Sequence, residues 1–144
     1  MAITGNVRFA IAVHMLVLLA LGEEIQNSAT IAGSVRTHPV VIRRILGLLV
    51  RAGLVTGRTG PHGGFRLART ADSITLDEVF RAVEQDGAAP PAHRPNPKCP
   101  VGRHVADVLG TIGERAEQAF LGSLARETVA GAARRVRRGV AGAR

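Results

Sequence analysis

The sequence predicts a mainly α-helical chain with one small β-hairpin and a long helix toward its C-terminal end. Three observations carry that reading. Apolar residues recur at spacings of three and four through most of the chain. One glycine-rich stretch, Thr56 to Gly64, separates two short apolar pairs and reads as a turn. The chain has no Trp, no Tyr and only four Phe, so Ile, Leu, Val and Ala must build the core. That composition suits packed helices better than a β-sandwich, and 144 residues are enough to bury a core.

The first helix is expected from Asn6, an N-cap, to Gly22, a stop. It is apolar on nearly every face and so should be buried on several sides, with His14 as a core histidine. A short helix follows, capped by Ser28, with Ile31, Ala32 and Val35 facing inward. Arg36-Thr37 breaks it, and Thr37 caps a third helix, His38 to Ala52, with Pro39 in its first turn. Val41, Ile42, Ile45, Leu48, Leu49 and Ala52 form its core stripe, and Gly53 ends it. Leu54-Val55 and Phe65, Leu67 read as two short strands. Thr75 and Glu78 have capping-box spacing before a helix whose apolar face is Leu76, Val79, Phe80 and Val83. Asp86–Lys98 holds four prolines and reads as a linker.

From Val101 to Leu124 one long helix is expected. Its stripe of Val101, Val105, Val108, Leu109, Ile112, Ala116, Ala119 and Phe120 has no obvious partner within the chain, which points to a homodimer. A last helix runs from Thr128 to about Val136, and Arg134, Arg135, Arg137 and Arg138 read as its solvated, fraying end. The division that follows is a winged helix-turn-helix DNA-binding domain over 1–85, a linker loop over 86–99, and a dimerisation helix with a basic tail over 100–144.

The net charge is +8, and its distribution is uneven. Residues 1–70 carry eight arginines against two acids, residues 71–133 are net acidic, and residues 134–144 carry five arginines and no acid. Clustered positive charge favours a polyanionic partner, here double-stranded DNA. A GC-rich genome accounts for the excess of Arg over Lys but not for the clustering. No paired carboxylates, activated nucleophile or cofactor motif stands out, so the chain does not read as an enzyme and implies no cofactor. The apolar run Phe9–Leu21 is short for a membrane span and is interrupted by His14, so no membrane association and a cytoplasmic location are expected.

Helix, short helix, tight break, longer helix and glycine-rich hairpin, in that order, make a helix-turn-helix with a wing. The third helix has the length to lie in a major groove with its first turns on base edges. The candidate DNA-binding residues are Ser28, Thr37, His38, Val40, Arg43 and Arg44 in the helix-turn-helix, and Arg58, Thr59, His62 and Gly63 in the wing. Arg43 or Arg44 suits guanine or phosphate, and Val40 suits a thymine methyl. The wing glycines let backbone approach phosphates.

These segments also carry a resemblance. Ile31-Ala32, then Ile45-x-x-Leu48-x-x-Ala52-Gly-Leu-Val55, then Gly60-Pro-His-Gly-Gly-Phe-Arg-Leu-Ala68, then Ile74-Thr-Leu-x-x-Val79 resemble the Rrf2 family of bacterial winged-helix transcription regulators. The resemblance implies a homodimer, crossed through the long helix, that binds a palindromic operator, most often as a repressor. Two departures stand out. Cluster-binding members carry three cysteines in the loop before the long helix, whereas this chain has only Cys99, so a cluster-free type is expected. Many members have Arg directly before the first wing glycine, where this chain has Thr59 with Arg58 ahead of it.

Cys99, at the start of the long helix, is the candidate for a redox sensor. Cys99, His93 and His104 are too scattered to read as a metal site, so none is expected. Regulation through a protein partner is the other alternative, and the sequence identifies no small-molecule or protein effector.

Overall fold

The structure is a computed structural model and describes residues 6–84 and 94–143. Helix α1 spans Val7–Leu21, α2 Ser28–Val35 and α3 Pro39–Arg51. Strands β1, Val55–Arg58, and β2, Gly64–Leu67, form an antiparallel hairpin. A short 3-10 turn at Ala71–Ser73 leads to α4, Leu76–Glu84. Helices α5, Pro100–Leu124, and α6, Val129–Gly142, complete the chain. The proposed boundary at 85/86, the first part of the linker, and His93 lie outside the described residues.

Helix α1 is the central element. Phe9, Ile11, Ala12, Met15, Leu16, Val17 and Leu19 are all buried on it, as its apolar character on several faces requires. Helices α2, α3, α4 and α6 and strand β2 pack around it. Each fully buried Leu, Met or Phe contributes about 1.5–3 kcal/mol, so this helix carries much of the core. His14 corrects the expectation of a core histidine. It is exposed, and its Nε2 lies 2.9 Å from Ser34 Oγ on α2. Asn6, the residue ahead of α1, both caps that helix by accepting from Phe9 N–H and donates to Glu84 Oε1 at 2.7 Å. With Arg8 donating to Val83 O, this ties the start of α1 to the end of α4.

Two expected caps shift by one residue. Asn27, not Ser28, caps α2 by accepting from Thr30 N–H at 2.8 Å. Asn and Ser are equally good caps, and the helix starts after the first of the pair. His38, not Thr37, caps α3. Pro39 at the first position has no N–H to satisfy, so the cap reaches Val40 N–H, which His38 Nδ1 accepts at 3.2 Å.

Helix α6 packs on α1, and further contacts tie the C-terminal helices to this body. Leu76 N–H donates to Glu127 O and Val129 N–H to Ile74 O, both at 2.9 Å, a bridge that aligns the starts of α4 and α6. Phe9, Phe80 and Phe120 form a ladder of edge-on rings, with centroids 5.5 and 5.0 Å apart, that joins α1, α4 and α5. Helix α6 runs on to Gly142 rather than ending near Val136. Arg134 pairs with Asp72 at 3.4 Å and Arg135 with Glu127 at 2.8 Å, so this part of the arginine cluster is held in a continuous helix and is not a fraying end. No helix among the described residues is long and apolar enough to cross a membrane.

Candidate nucleic-acid interface

Helix α3 separates cleanly into two faces. Ile42, Ile45, Leu46, Leu48 and Leu49 are buried. Pro39, Val40, Arg43, Arg44, Val50 and Arg51 are exposed, and Gly47 among them is half-buried. At 100° per residue Val40, Arg43, Arg44, Gly47 and Arg51 share one sector, so that side of the helix presents two apolar and three cationic positions. Val40 is 55% exposed, an apolar group offered to solvent on the first turn. The core stripe behind this row fixes the helix's rotation, and hence which residues face out.

The cap gives His38 a defined state. Its Nδ1 accepts from Val40 N–H, which puts the ring proton on Nε2 in the neutral form. The imidazole is therefore a donor at the exposed helix start. Ser28 is exposed at the first turn of α2 and Thr37 is half-buried in the turn. Thus Ser28, Thr37, His38, Val40, Arg43 and Arg44 all lie on α2, α3 or the link between them, as the sequence places them.

Between α2 and α3 the chain turns at Arg36. Its φ and ψ are 52° and 51°, the left-handed region, and it is the only non-glycine residue with positive φ among the described residues. The sequence predicts a break at Arg36 but not this conformation. Glycine or asparagine would have signalled it; arginine does not.

The hairpin pairs Val55 with Leu67, Thr56 with Arg66, Gly57 with Phe65 and Arg58 with Gly64. The strand therefore extends through Thr56–Arg58, which the sequence places in the turn. Gly57 is tolerated there because its missing side chain makes room for the Phe65 ring, 3.1 Å from where a Cβ would stand. The tip is Thr59–Gly63, closed by Gly63 N–H donating to Gly60 O at 2.9 Å. A Cβ on Gly63 would come within 2.1 Å of the Arg58 carbonyl oxygen, so only glycine closes this turn without shifting the backbone. Arg58, Thr59 and His62 are exposed around it.

The root of the wing is fixed by a contact the sequence did not reveal. Gln26 N–H donates to Phe65 O and Phe65 N–H to Gln26 O, at 2.9 and 2.8 Å. The link before α2 thus adds a one-residue antiparallel bridge to β2 of the hairpin. The cleft beneath, about 600 Å³, is lined by Leu19, Glu23, Glu24, Ile25, His62 and Arg66 among others. Arg66, an exposed cation on β2, belongs to this wing surface and was not singled out from the sequence.

Cys99 caps α5, its Sγ accepting Gly102 N–H at 3.5 Å. It is partly buried and stands just ahead of α5, the long C-terminal helix, outside the helix-turn-helix. His104 Nδ1 is 2.7 Å from Pro100 O. Among the described residues no three His, Cys, Asp or Glu side chains converge as a metal site would require.

Comparison with known proteins agrees with this geometry. A family model described as Rrf2, iron-dependent transcriptional regulator, matches residues 6–135. YwnA of Bacillus subtilis (strain 168), described as an HTH-type transcriptional regulator, is 39% identical over 125 residues, covering 86% of this chain and 92% of YwnA. IscR of Cereibacter sphaeroides, an HTH-type transcriptional regulator, is 36% identical over 78 residues, about half of each chain. A crystal structure of a chain described as DNA-binding superposes with a TM-score of 0.73 at 36% identity, over 87% of this chain and 97% of that one. CymR, the global cysteine regulator of B. subtilis, shares the fold at a TM-score of 0.63 and 22% identity, over 88% of this chain and 92% of that one.

Proposed function

This chain belongs to the Rrf2 family of transcriptional regulators, and from that premise we propose that it represses transcription in the cytoplasm by gripping a palindromic DNA operator as a homodimer. The observation that carries the reading is the outward row of α3, in which Val40, Arg43 and Arg44 stand exposed over a buried stripe. In this arrangement α3 enters the major groove. Val40 meets a thymine methyl, and Arg43 and Arg44 reach guanine edges or phosphates. His38 Nε2–H, Ser28 and Thr37 donate to the backbone at the groove's rim. The wing, with Arg58, Thr59, His62 and Gly63, follows the adjacent strand.

The division into a DNA-binding unit over 1–85, a linker over 86–99 and a dimerisation unit over 100–144 is part of the same proposal. The support for pairing is on α5. Val101, Val108, Leu109 and Ile112 are 73%, 56%, 53% and 55% exposed on it, an apolar seam that a second copy would cover.

The family description is of iron-dependent regulators, and the donor set here does not fit an iron–sulfur cluster. Such clusters are held by several thiolates, and the chain has one cysteine.

The test is fluorescence anisotropy of the purified chain on DNA from upstream of its own gene and on a scrambled duplex, over a salt series. A preference for its own promoter of roughly a thousandfold establishes a specific regulator. Arg43→Ala is expected to weaken promoter binding by about 1–3 kcal/mol. Equal binding to both duplexes by the unmodified chain would overturn the proposal for that promoter.

A further inference from the structure

We propose that Arg36, in the turn between α2 and α3, is a DNA phosphate contact retained at a cost to the fold. The inference rests on the DNA-binding reading above and adds a residue to it. Arg36 holds φ 52° and ψ 51°, where a side chain bearing Cβ crowds its own backbone. Glycine takes this conformation freely, and asparagine is several-fold enriched in it. Arginine has neither advantage.

The fold returns nothing for the strain. Arg36 N–H donates to Ala32 O at 2.9 Å, but any residue except proline supplies that bond. The guanidinium is exposed and makes no hydrogen bond or ion pair among the described residues. By contrast Arg8, Arg69, Arg134 and Arg135 each hold a carbonyl or carboxylate within the chain. A strained residue whose side chain has no partner among the described residues points to a partner outside the fold.

Position names the partner's chemistry. Arg36 is two residues before His38, the cap of the outward-facing helix, in a stretch with no acidic residue from Asn27 to Arg58. A cation at that turn stands beside whatever the start of α3 meets. A guanidinium pairs with phosphate bidentately and without regard to base sequence.

The experiment uses the full chain and a labelled mixed-sequence duplex of about 30 base pairs, titrated by anisotropy from about 50 to 300 mM NaCl. Arg36→Gly and Arg36→Asn are expected to bind about three- to tenfold more weakly near 0.1 M salt. Their log–log salt slopes should fall by about 2, which is about 0.9 for each of two phosphates on a dimer. Arg36→Lys should keep most of the slope. The melting temperature of Arg36→Gly should rise by about 2 °C, so that stability and affinity move in opposite directions. Gly and Asn variants with the parent slope would overturn the phosphate contact while leaving the DNA-binding reading intact. A melting temperature lowered by Arg36→Gly would overturn the claim that the turn is strained. An unmodified chain with no salt-dependent binding would remove the DNA-binding reading, and this proposal with it.

Discussion

Glu78 accepts from the N–H and hydroxyl of Thr75, at 3.0 and 3.2 Å, and from Arg69 at 2.9 Å. Burial raises its carboxyl, but the hydrogen bonds from Thr75 and Arg69 and the Arg69 charge outweigh that and leave it below its ordinary 4.5. A lowered carboxyl adds stability above its unfolded value, and that stability is lost as pH falls through the folded value. Melting curves should therefore show an acid limb beginning near 4.5, and Glu78→Gln should flatten its upper part while lowering the melting temperature at neutral pH. An unchanged acid limb in the variant would contradict this. The Thr75–Glu78 spacing made the capping box legible in the sequence. The sequence misplaces the cap of α2 by one residue because Asn27 and Ser28 have the same local chemistry, and that of α3 because Pro39 moves the capped N–H to Val40.

The wing shows which parts of an element local sequence encodes. Glycines in the tip announced a turn, and Gly63, which closes it against the Arg58 carbonyl, is one of them. The strand boundaries were less legible, since Thr56-Gly57-Arg58 looks like turn chemistry but pairs with Gly64–Arg66. The Gln26–Phe65 rung was invisible, because its two halves are far apart in the chain and involve only backbone atoms. Gly63→Ala forces the turn open. It should weaken DNA binding about tenfold, at a stability cost of about 1–2 kcal/mol because the tip is exposed. Parallel measurement of melting temperature and promoter affinity separates the two effects. A variant with the parent's affinity would show that the wing tip does not touch DNA.

At the scale of the whole molecule, hydrophobic periodicity made the helices legible, including the long α5 and the burial of α1. The position of α6 was not, because its link to α4 is a backbone bridge and its pairs, Arg134–Asp72 and Arg135–Glu127, join segments that periodicity treats separately. The α5 seam gives the molecular-scale prediction. The unmodified chain should elute and scatter light as about twice its 15.1 kDa mass. Ile112→Lys, at a 55% exposed seam position, should yield a monomer with unchanged helical content and much weaker operator binding. A variant that stays dimeric would place the pairing surface elsewhere.

The ladder of Phe9, Phe80 and Phe120 has a spectroscopic consequence. Three of the four phenyl rings meet at one joint, and the chain has no Trp or Tyr. Ring-current shifts in a proton spectrum are therefore concentrated where α1, α4 and α5 touch. Methyl resonances displaced far upfield will come mainly from that joint, and their movement on adding DNA would report directly whether the long helix tilts when the operator is bound.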